Sequence, residues 1–128
     1  MTPTALISGA TARQREAVIA DAIVRLPLHS QVAVILEGMP DSASALTDLP
    51  PDHALSITRI APGCPCCIGN LTMRVTLNRA LRHPPDYLFI SLASTDHREQ
   101  TRHFLTSAPY DTHLRLDTDI HCPTIDFA

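Results

Sequence analysis

Two unbroken apolar runs most constrain what this chain can fold into. Residues 32–36 read VAVIL and residues 87–93 read YLFISLA. A strand with one wet face alternates polar and apolar residues. A run without alternation belongs in a parallel sheet covered on both faces. The cover must be helical, and helical segments lie at residues 14–26 (QREAVIADAIVRL), 68–83 and 96–107. Pro27 closes the first and Pro84-Pro85 the second, as proline cannot continue a helix. Further strands are expected at residues 4–8, 54–60 and 113–116, and residues 41–52, rich in Ser, Asp and Pro, read as a loop or short helix. The expected fold is α/β: a three-layer, mostly parallel sheet of about five strands with helices on both faces. It forms one domain over residues 1–128. In the second helix Leu71 and Val75, and Met73, Leu77 and Leu81, fall at helical spacing.

Composition narrows the function classes. The 128 residues carry a net charge of −3 and only five aromatics, three Phe and two Tyr. With no basic stripe and few rings to stack on bases, nucleic acid is not an expected partner. No apolar run reaches the roughly 20 residues of a membrane helix. No basic segment followed by an apolar stretch opens the chain, so the cytoplasm is the expected compartment.

The cysteines carry the chemical signal. Cys64, Cys66 and Cys67 fall within four positions of the segment Ala61-Pro62-Gly63-Cys64-Pro65-Cys66-Cys67, and Cys122 stands apart. A disulfide framework would spread its cysteines along the chain; clustered thiols in a reducing compartment point to metal or redox chemistry. The segment lies between an expected strand and an expected helix, where parallel folds put their chemistry. A helix N-terminus favours thiolate, and thiolates bind Zn²⁺, Cu(I) and similar ions. Thiol redox chemistry and inert thiols are the competing readings. Glu37, Asp41, His121 and Cys122 are candidates for a further ligand. The remaining histidines are scattered and read as surface residues.

A second candidate site follows the first strand. Phosphate loops of the form G-x-x-x-x-G-K-[ST] use glycines to bring backbone N–H groups around the phosphates, a lysine on the β- and γ-phosphates, and a hydroxyl on Mg²⁺. Residues 9–16 read GATARQRE. Gly9 is in place, but Gln14, Arg15 and Glu16 stand where the second glycine, the lysine and the hydroxyl belong. Gly9, Arg13 and Arg15 are left as a weak anion or phosphate site at a helix N-terminus.

The turn GCPCC resembles the GCxCC motif of the CobW-type metal-chaperone GTPases. VAVIL, leading into an acidic loop, is similar to that family's second strand. PDYLFISLAS, residues 85–94, is similar to the strand the family writes D-h-h-h-I-E-[ST]-[SG]-G. The resemblance spans about residues 4–121 and implies a truncated P-loop NTPase-like fold with its metal motif retained. It also implies that Ser91 replaces the acidic residue of the Mg²⁺ site, and that Glu37-Gly38 replaces an Asn-Glu pair. Asp41 and His121 fall near an acidic and a histidine position of the family. The guanine-reading [NT]-K-x-D segment has no counterpart within the 128 residues. The implied function is a non-catalytic metal-binding protein for Zn, or Co, Ni or Cu(I). It would act as a buffer or as accessory to a full-length GTPase partner, with no GTP bound or hydrolysed. The alternatives are a weak GTP-binding protein or GTPase with a distorted P-loop, or an interaction module with inert thiols. A sheet of about five strands leaves an edge; residues 113–116 are the expected edge, to be paired in a homodimer or covered by residues 117–128.

Overall fold

A computed structural model describes residues 2–9, 11–38, 46, 54–60, 71–93 and 98–121, the last four by backbone alone. Five strands form one sheet: β1 (Thr2–Ser8), β2 (Gln31–Glu37), β3 (Ala54–Ile60), β4 (Tyr87–Ser91) and β5 (Leu114–His121). Every pairing is parallel, in the order β3-β2-β4-β1-β5. Three helices accompany them, α1 (Ala12–Val24), α2 (Leu71–Ala80) and α3 (Arg98–Leu105).

The two apolar runs are the middle of this sheet. In β2 the side chains of Val32, Val34 and Leu36 face one layer and those of Ala33 and Ile35 the other. The first layer is α1, which brings Ile19, Ala20 and Ile23 against Ile7, Phe89 and the buried Leu46. The second holds α2 and α3, with Met73, Leu77 and Leu105 against Leu6, Leu88, Ile90 and Leu114. Burial on both faces is the physical reason these strands do not alternate.

Local chemistry sets the element ends. Thr11 caps α1 reciprocally: its hydroxyl accepts from the Gln14 N–H at 3.2 Å, and the Gln14 side chain accepts from the Thr11 N–H at 3.3 Å. Two of the four orphan donors of the first turn are thereby satisfied. The Asp86 carboxylate accepts from the Gln31 N–H, and the Asp86 N–H donates to the Gln31 carbonyl, both at 2.8 Å, which fixes where β2 and β4 begin to pair. Gly38, at φ +90°, ends β2 in a conformation that favours glycine.

Several expectations change in detail. On α2, Met73 and Leu77 are buried, whereas Leu71 and Val75 are 62% and 48% exposed. Of the two apolar groups, only that of Met73 and Leu77, with the partly buried Leu81, faces the core. The last strand is longer than expected: β5 runs to His121 and includes residues 117–121, so that stretch extends the edge rather than covering it. The sheet has a second edge at β3. Residues 39–45 and 47–53, the cysteine segment 61–70 and residues 122–128 lie outside the described residues.

Candidate functional site

The connections leaving β1 and β4, adjacent strands, run in opposite directions across the sheet: β1 leads through α1 toward β2, and β4 through α3 toward β5. The two connections leave on opposite faces of the sheet, and the carboxyl ends of such neighbouring strands are the usual ligand position in open parallel sheets. Gly9 follows β1 there with φ +88°, and α1 begins three residues later.

The polar groups at this end of the sheet are turned on one another. Arg15 is 4% exposed and Glu16 2%. Arg15 Nε donates to the Ser91 hydroxyl at 2.9 Å, and its Nη1 donates to the Gly9 carbonyl at 3.1 Å. Glu16 receives both terminal nitrogens of Arg59 from β3, at 3.0 Å and 3.3 Å. A paired fork of this kind is the strongest side-chain contact a carboxylate can make with a protein cation. Two positions at which the sequence departs from a working phosphate loop are thus drawn into contacts inside the protein, Arg15 with Ser91 and Glu16 with Arg59. Arg13, two residues earlier, is exposed, so the structure does not bring it together with Arg15.

The reach of Arg59 to Glu16 is legible in the fold but not in the sequence. Arg59 stands on the same face of β3 as Leu55, which packs in the α1 layer, and alternation carries residue 59 to that face. No sequence signal marks Arg59, because the two residues are distant in the chain and an arginine in an edge strand usually points to water.

Around the metal candidates the structure supplies the frame. The segment with Cys64, Cys66 and Cys67 joins the carboxyl end of β3 to the start of α2. β2 ends beside it: the Gly38 N–H donates to the Ile60 carbonyl at 2.9 Å. Glu37 is half-buried there, and its Oε1 accepts from the Ala93 N–H at 3.2 Å. The His121 backbone pairs with Ser8 two strands further on. Asp41, Cys64, Cys66, Cys67 and Cys122 lie outside the described residues. Among the described residues, no three His, Cys, Asp or Glu side chains converge on a point where a metal could sit. No described helix is long and apolar enough to cross a membrane.

Comparison with protein-family models, with curated proteins and with solved structures gives no match.

A direct consequence concerns the phosphate loop. In the double variant Arg15→Lys with Glu16→Thr, the lysine and hydroxyl of a working loop return, but Gln14 still fills the second glycine position, Ser91 loses its planar donor and Arg59 its carboxylate. The expected result is no gain of GTP or ATP hydrolysis and a loss of about 2 kcal/mol of stability. Phosphate release and a urea melt measure the two outcomes. Turnover that appears in the variant would overturn the first.

Proposed function

We propose that this chain is a non-catalytic metal-binding protein of CobW-like design, in which Cys64, Cys66 and Cys67 hold Zn²⁺ or a similar ion. One observation carries the reading: a C-x-C-C triplet in the connection between β3 and α2, at the carboxyl end of a parallel sheet. The donor set fits the ion, since thiolates are strong zinc ligands and three of them leave a fourth position open. Glu37, Asp41, His121 and Cys122 are candidates for that position. The ion is cargo, and the chain serves as a buffer for it or as accessory to a full-length metallochaperone GTPase.

The Arg15–Ser91 and Glu16–Arg59 contacts support the absence of nucleotide chemistry. A phosphate loop must leave its cation and backbone N–H groups open toward the phosphates. Here the guanidinium is committed to a hydroxyl and a carbonyl of the protein. Glu16, one residue on, is buried and paired with Arg59, and supplies no hydroxyl for Mg²⁺.

The test is a competition titration with a chromophoric chelator, on the reduced chain and on a variant with Ser at positions 64, 66 and 67. One ion per chain is expected, and none on the variant. Affinity should fall as pH drops, because protons compete for the thiolates. Equal binding by the variant would sink the reading. Thiol counts before and after mild oxidation separate a redox role, and stabilisation of the melt by GTP would favour the nucleotide alternative.

A further inference from the structure

We infer that β3 is the surface through which two copies of this chain associate, by antiparallel pairing about a two-fold axis at Ile57. This is independent of the metal reading. The two edges of the sheet are built differently. β5 carries the devices that discourage pairing: its register with β1 shifts between Thr4 and Ala5, and Arg115, Asp117 and Asp119 charge it. β3 carries almost none. It pairs with β2 in unbroken register from Ala54 to Ile60. It contains no proline, and its one charged side chain, Arg59, is tied to Glu16.

The hydrogen bonds identify which backbone groups are free to pair. The Ala54 N–H donates to Ser30, and the Ile60 carbonyl accepts from Gly38. The even-numbered residues of β3 therefore turn their backbone toward β2. Leu55, Ile57 and Arg59 turn both N–H and C=O to the outer edge, which no described strand covers, because successive residues alternate. Ile57 is the middle of the three, and its side chain is 39% exposed.

The strand is complementary to itself in one register. With Ile57 opposite Ile57 of a second copy, Leu55 falls opposite Arg59 and Ser56 opposite Thr58. Each outward residue then forms a doubly hydrogen-bonded pair. Apolar pairs and a Ser–Thr pair are favourable cross-strand neighbours, whereas like charges opposite one another are not. The single cation meets the stem of a leucine and never its own copy. On the other face, a groove of about 450 Å³ lies over β2 and β3, between Ala33, Ile35, Ser56 and Thr58 of the strands and Thr76 and Arg79 of α2, so α2 is not packed tightly onto β3. Closed two-fold pairing is also the commonest form of self-association.

The expected dissociation constant is on the order of 10 μM, as suits a small interface. Sedimentation velocity of the full chain over a concentration series should show monomer giving way to dimer. Ile57→Pro removes one outward N–H without touching the β2 ladder, and Ile57→Lys sets two charges face to face. Each should weaken association roughly tenfold or more, with circular dichroism unchanged. For a positive signature, Ser56→Cys with Thr58→Cys, in a chain whose own four cysteines are Ser, places thiols in non-hydrogen-bonded pairs across the axis. That chain should cross-link into covalent dimers on oxidation. A parent chain that stays monomeric at about 500 μM, or a dimer that survives both Ile57 variants, overturns the inference.

Discussion

Replacing Arg59 with Ala is expected to lower the stability of the chain by about 2–3 kcal/mol, or roughly 10 °C in melting temperature. The cost comes from what stays behind. Glu16 is buried on α1 and receives two hydrogen bonds from Arg59. Breaking such a pair by removing the cation leaves a desolvated carboxylate short of its partner. Fully buried pairs lose about 3–5 kcal/mol in this way. Because the Arg59 side chain is 29% exposed, water reaches the gap and the figure is lower. Glu16→Met together with Arg59→Met should recover most of the loss, since no charge is then stranded. A double-mutant cycle by urea denaturation measures the coupling. If Arg59→Ala costs under about 0.5 kcal/mol, the pair behaves as a surface ion pair and is not part of the frame.

Truncating Leu77 to Ala should cost about 3 kcal/mol, while Val75→Ala, two residues away on the same helix, should change stability by less than about 0.5 kcal/mol. Leu77 has no exposed surface and packs between β2, β4 and α3. Its loss opens a cavity that a three-layer core cannot easily collapse. Val75 faces solvent, and alanine is the better helix former there. Equal effects at the two positions would mean that α2 is rotated relative to the sheet.

That contrast also marks where the sequence stops being readable. Periodicity identifies a helix at residues 68–83, found at Leu71–Ala80, but not which of two apolar groups faces inward, because both repeat at helical spacing; the sheet below decides. The strands at residues 32–36, 54–60 and 87–91 are legible because burial on both faces, or alternation, leaves a direct mark. The full length of β5 is not, since an edge strand reading LRLDTDIH has no need of an apolar pattern. The departures at Arg15, Glu16 and Ser91 are visible as residue types. What they contact is not, since it depends on β1 and β4 being neighbours and on Arg59 arriving from a third strand. The cysteine triplet is in the opposite position: its spacing and residue types are plain in the sequence, and it lies outside the described residues.

The place of β1 has a consequence for how the chain comes into being. Thr4 is paired with Leu88 and Thr2 with Leu114, so β1 leaves the ribosome well before either of its neighbours. At roughly 5–20 residues per second, β1 spends several seconds with Ala5, Leu6 and Ile7 uncovered. Meanwhile β2 and β3 can pair early and locally. Closing the long loops between β1 and its neighbours makes folding slow relative to a helical chain of this length. A nascent chain stalled before residue 114 would hold β1 by one edge only, and this half-paired strand is the natural target for a chaperone or for misassembly with another chain.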